Sequence, residues 1–189
     1  MKLSVFASLA LSSIVLASGI IKNSANAHST KFVELGRQTL LASASMPKPI
    51  YMAQTSTNNS IDSLEQAVYS QINDYRTSHG LSSLTLDPRI SQQARNHSQD
   101  MASGQVPFGH DGFAQRIQAI GQVISLNAAA ENVAYNQGYS DPVTQAVQGW
   151  LNSPGHLTNI QGQYNLTGIG VAKSASGAYY FTQIFVRSS

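Results

Sequence analysis

The spacing of apolar residues divides this chain into segments of helical period followed by segments of strand period. Leu64, Val68, Ile72 and Tyr75 recur at intervals of three and four, which places them on one face of a helix. Ser63 and Gln66 fit a capping box at its start, and Gly80 closes it. Asp87-Pro88 reads as an N-cap with proline at the first helical position. Ile90, Ala94 and Met101 lie on the face of the helix that follows, and Gly104 ends it. A shorter helical pattern carries Phe113, Ile117 and Ile120. Asp141-Pro142 opens another, with Val143, Ala146, Val147, Trp150 and Leu151 inward and a stop at Pro154-Gly155.

The period then changes. Thr167–Ala172 and Tyr179–Val186 are rich in β-formers, and the turn-prone Ser174–Gly177 between them predicts an antiparallel hairpin. Ala130–Tyr135 supplies a candidate third strand. Helices that each bury one face, beside a small antiparallel sheet, predict an α+β layered domain over residues 61–189.

The N-terminal third has a different character. Lys2 precedes an apolar stretch from Leu3 to Ile21, and Ala25-Asn26-Ala27 supplies a small-x-small cleavage pattern. A signal peptide over residues 1–27 is expected, the other reading being an uncleaved anchor of nearly spanning length. Residues 28–60 are rich in Ser, Thr, Asn and Ala and read as a flexible linker, with one short helix over KFVELGRQTLLAS.

Composition narrows the chemistry. The 189 residues include no cysteine, which excludes disulfides, thiolate zinc sites, Fe–S clusters and a cysteine nucleophile. The full chain is formally +2, but from residue 61 onward six basic side chains face eight acidic ones. The basic excess therefore sits in the leader and linker, and no basic stripe predicts nucleic-acid binding.

After the linker only two glutamates remain. Glu65 falls in the expected first turn of a helix, where a carboxylate suits the dipole. Glu131 lies among small and apolar residues in AAAENVAY and needs a partner. Backbone amides would suffice; an internal pair with a histidine is the sharper reading. Among the histidines, His79 reads as a solvated helix end and His97 as a packing residue on a helix. His110 sits in the glycine-flanked loop FGHDGF, and His156 follows Pro154-Gly155. Taken singly, these two are better explained by structural roles than by catalytic ones. No Gly-x-Ser-x-Gly elbow, His-Glu-x-x-His helix, phosphate loop or dinucleotide fingerprint occurs.

The ordered set FGHDGF, Arg116-Ile117, AENVAY, AVQGWLNSPGHLTNI, TGIGVA and YYFTQIF resembles the bacterial branch of the CAP superfamily, named for cysteine-rich secretory proteins, antigen 5 and pathogenesis-related 1 proteins. The likeness spans residues 64–187. It implies an α-β-α sandwich with a cleft in which His110, Glu131 and His156 meet. Two departures from the eukaryotic pattern stand out: Ser153 replaces a second glutamate, and Tyr180 falls where a histidine is usual. What the resemblance implies is a secreted or periplasmic protein. Its cleft would bind an envelope component, a lipid or another protein. The alternative is a metal-assisted, protease-like hydrolase, with Zn²⁺ on His110 and His156. Arg116, Asn132 and Asn159 are candidates for supporting roles, capping and turn roles being the other option.

Overall fold

The structure, a computed structural model, describes residues 51–189. The expected signal peptide and residues 28–50 of the expected linker lie outside the described residues. Helix α1 covers Tyr51–Ser78 and is followed by strand β1, Thr85–Leu86. Helices α2, Pro88–Ser103, and α3, Phe113–Gly121, precede strand β2, Leu126–Asn136. Helices α4, Pro142–Leu151, and α5, Pro154–Ile160, lead to strands β3, Leu166–Lys173, and β4, Tyr179–Ser188. The sheet order is β1-β3-β4-β2. Only the short β1 runs parallel to its neighbour; the other pairings are antiparallel.

The fold is an α-β-α sandwich. Alternation along the strands assigns side chains to two cores. Ile169, Val171, Phe181 and Phe185 pack with Val68 and Ile72 of α1 and with Val147 and Trp150 of α4. On the other face Ile184 and Val186 pack with Ile90 and Ala94 of α2 and Ile120 of α3. Gly168 and Gly170 alternate with the apolar residues of β3 and lie directly under α2. A Cβ at Gly168 would overlap the backbone of Ile90 and Ser91, and one at Gly170 that of Ala94 and Arg95. The TGIGVA pattern is thus a condition for helix and strand backbones to touch.

Local signals account for most boundaries. The Asp87 carboxylate accepts from Arg89 N at 2.8 Å, and Asp141 accepts from Thr144 N at 3.0 Å, each ahead of a proline. Gly104 ends α2 in the left-handed region at φ 77°, where a side chain would be strained.

Three expectations need correction. Helix α1 begins at Tyr51, so residues 51–60 are helical where a flexible linker was expected. No proline or glycine interrupts this stretch, and extending an existing helix costs far less than nucleating one. Consequently Ser63 caps nothing; its hydroxyl donates to Ser60 O at 2.7 Å, back along the helix. Glu65 is not a first-turn residue but a buried carboxylate, held by Arg95 of α2 and accepting from Val171 N of β3 at 3.1 Å. Finally, α4 stops at Leu151, ahead of Pro154-Gly155 as expected, but that pair also opens a further helix that the pattern does not announce. Ser153 stands at the N-cap and Pro154 starts α5, a position where the ring's fixed φ favours initiation.

Both sheet edges are closed by side chains. Beyond β1, the amides of Ile169 and Val171 on β3 donate to Ser91 Oγ and Glu65. On the opposite edge, the β2 carbonyls of Glu131 and Val133 accept from Asn159 and from the Trp150 indole. That second edge carries the candidate site. Among the described residues, no helix is long and apolar enough to cross a membrane.

Candidate functional site

Glu131 sits midway along β2 and points toward the layer of α2 and α3. Its carboxylate is 1% exposed and is the most heavily partnered acceptor in the region. Arg116 of α3 forks onto it, with Nε donating to Oε2 at 2.9 Å and Nη2 to Oε1 at 2.7 Å. His110 approaches the same Oε1 through Nδ1 at 3.0 Å. The carboxylate accepts, so Nδ1 carries the proton and Nε2 is left as the free nitrogen of a ring that is 43% exposed.

The loop that carries His110 is tied at both ends. His97 Nε2 donates to Gly109 O at 2.8 Å, and Arg116 Nη1 donates to Asp111 O at 2.8 Å. Gly112 then turns the chain through φ 78° into α3. The packing role expected of His97 holds, and it acts on the site: its buried ring fixes the loop. Burial lowers the His97 pKa, and the hydrogen bond to Gly109 opposes this.

His156 comes from the other helical layer, in the first turn of α5. Asn132 Nδ2 donates to His156 O at 3.2 Å, and Asn159 Nδ2 donates to Asn132 Oδ1 at 2.9 Å. These two amides latch α5 onto β2. Arg76 secures its far end, donating to Ile160 O at 2.6 Å and Gly162 O at 3.0 Å. Arg76 is a buried cation with carbonyl partners, unforeseen in the sequence because those partners lie more than eighty residues away.

His110 and Glu131 are therefore in direct contact, while His156 shares no hydrogen bond with either side chain. Burial first, and then the nearby His110 charge, lower the His156 pKa. Its ring lines a pocket of about 230 Å³, together with Tyr135, Asn136, Gln145, Trp150 and Ser153. Arg116, Asn132 and Asn159 all act as supports of the site rather than as caps or turn residues.

The donor set does not fit a resident zinc. Protein zinc sites use three or four side-chain ligands. Both oxygens of Glu131 are committed to Arg116 and His110, which leaves two imidazoles. Among the described residues, no group of three or more His, Cys, Asp or Glu side chains is placed to hold a metal ion.

The α-β-α sandwich thus carries a histidine–carboxylate–arginine cluster on its outer strand β2. Residues 69–185 match the CAP family, described as the cysteine-rich secretory protein family, and the chain belongs to it. In solved structures, an extracellular protein containing an SCP domain from Bacillus anthracis is 30% identical, with a TM-score of 0.59, covering 76% of this chain and 45% of that one. An outer surface protein from Borrelia burgdorferi shares the fold at 21% identity and a TM-score of 0.59, covering 67% of this chain and 94% of that one. The uncharacterized protein YkwD of Bacillus subtilis is 34% identical over 137 residues, which is 70% of this chain and 50% of that protein. The chain spans about half the length, or less, of the curated relatives it matches.

Proposed function

We propose that this chain is an exported CAP-domain binding module, with residues 1–27 removed as a signal peptide and the cleft around His110, Glu131 and His156 receiving an envelope ligand. The observation that carries this reading is the state of Glu131. A carboxylate that acts as a general base itself needs a free oxygen within reach of a water or substrate proton. Here three donors from Arg116 and His110 hold the buried carboxylate, so the role of Glu131 is to orient His110. Ser153, the serine beside the His156 pocket, lies at an N-cap and has no histidine hydrogen-bonded to its hydroxyl, so it is not set up as a nucleophile there. The His110 Nε2 and the His156 pocket remain as recognition groups. The description of the Bacillus anthracis relative as extracellular supports placing this module outside the membrane.

Two measurements test the reading together. Purified protein should co-sediment with Bacillus subtilis cell envelopes, and His110→Ala should reduce the bound fraction. Peptidase assays on casein should give no turnover that depends on Glu131. Hydrolysis that is present in the wild type and lost in Glu131→Gln would replace the binding module with the hydrolase.

A further inference from the structure

The surface beside His110 carries an aromatic cluster that the cluster around Glu131 does not use. Tyr135 of β2 lies directly across from Tyr180 of β4, with ring centroids 5.0 Å apart. Phe108, two residues before His110, completes the group at 6.3 Å from Tyr135 and 6.5 Å from Tyr180. Phe108 is 54% exposed and Tyr135 48% exposed. Wet aromatic rings at the edge of a sheet invite association and weaken solubility, so this group, built on outer strand β2, its neighbour β4 and a loop, needs a reason.

Tyr135 also forms one wall of the pocket that holds His156. That pocket has an unusual polar character. None of its lining residues is Lys, Arg, Asp or Glu. Two of them carry a buried polar atom with no partner, Asn136 Oδ1 and His156 Nδ1. Asn136 is 6% exposed, and its Nδ2 donates to Pro142 O at 2.8 Å, which fixes the unpaired atom as an acceptor. The Ser153 hydroxyl makes no capping bond to its own helix. Shelf and pocket thus combine apolar ring faces and unmet polar atoms, with no charged side chain in the pocket lining.

We propose that the shelf of Phe108, Tyr135 and Tyr180 and the adjoining pocket form one binding surface for a neutral oligosaccharide. A pyranose ring presents a face of C–H groups and a rim of hydroxyls. The face stacks on an aromatic ring, and the rim hydroxyls, which both donate and accept, can donate to Asn136 Oδ1 and pair with His156 Nδ1 in either tautomer. The pocket has room for one ring, and Tyr135 joins it to the shelf, where the next ring lies. An acyl chain would leave Asn136 Oδ1 and His156 Nδ1 unpaired, and a charged polymer would find no opposite charge in the pocket lining. This proposal rests on the binding reading above and names the ligand class of that site.

Titration calorimetry with tetrasaccharides of N-acetylglucosamine, glucose and mannose tests it. At least one should bind saturably and should compete with envelope sedimentation. Tyr135→Ala should weaken it about tenfold, and Tyr135→Phe should restore most of the affinity. Circular dichroism of each variant checks that the fold is kept. Envelope association without any saccharide binding or competition overturns the glycan proposal and leaves the binding module standing. Palmitate-containing vesicles bound in a Tyr135-dependent way, with no saccharide binding, overturn it in favour of a lipid. Loss of envelope association in the wild type overturns both.

Discussion

At the scale of single residues, the Arg116–Glu131 pair decides how the site behaves. A carboxylate that is 1% exposed is tolerable only with a full set of donors. Arg116→Met should therefore cost about 3 kcal/mol in urea unfolding, because it strands a buried charge. The double variant Arg116→Met/Glu131→Leu should recover more than half of that loss, and a single-variant cost below about 1 kcal/mol would show that Glu131 has another route to solvation. The histidines give a pH signature. The folded chain holds His97 and His156 below their usual value of 6.5, through burial in both cases. Above about pH 6.5 both states are neutral there and stability is unaffected. As pH falls below that value the unfolded chain takes up protons first, so stability declines until the folded pKa values are passed. Thermal unfolding between about pH 7 and pH 5 should show a falling Tm, and His97→Gln should flatten the slope. The facing groups Arg116, Glu131 and His110 belong to the same environment and set how steep the slope is. The need for a Glu131 partner was legible in AAAENVAY. That the partner is Arg116 as well as His110 was not, since their meeting depends on how α3 docks over β2.

At the scale of elements, the two β3 glycines carry an exacting demand. Gly170→Ala should cost more than about 3 kcal/mol or abolish folding, because the added methyl meets helix backbone, which cannot move aside as a side chain can. Gly149 is the control, an exposed glycine inside α4 with open space around its missing Cβ. Gly149→Ala should raise stability by about 0.5 to 1 kcal/mol, and both effects are read from urea midpoints. These cases also show what sequence pattern conveys at this scale. Asp87-Pro88, Asp141-Pro142 and the Ser174–Gly177 turn announce their elements because caps and turns are made by adjacent residues. Strand β1 has two residues and exists through parallel pairing with Leu166 and Thr167, so no local period reveals it. Helix α5 was hidden by the same proline that starts it. Glu65 was misassigned because its true partners, Arg95 and Val171, lie 30 and 106 residues away.

At the scale of the whole molecule, the distribution of charge separates the candidate ligands. The chain is formally +2, yet six basic and eight acidic residues from position 61 onward leave the domain slightly acidic. Three of those bases, Arg76, Arg95 and Arg116, are consumed in carbonyl or carboxylate contacts at fixed positions within the fold. The lining of the His156 pocket carries no basic side chain to draw in a polyanion, and beside the shelf the Lys173 ammonium lies over the Tyr179 ring. Binding to a charged envelope polymer or a nucleic acid releases counterions and weakens steeply with added salt, whereas stacking and hydroxyl hydrogen bonds do not. Envelope binding by the full chain should change by less than about twofold between roughly 50 and 500 mM sodium chloride. A loss of tenfold or more across about that range would instead mean that the basic N-terminal segment, and not the cleft, makes the contact. Tyr135→Ala then separates the two sources, since it should weaken salt-independent binding about tenfold and leave any salt-sensitive component in place.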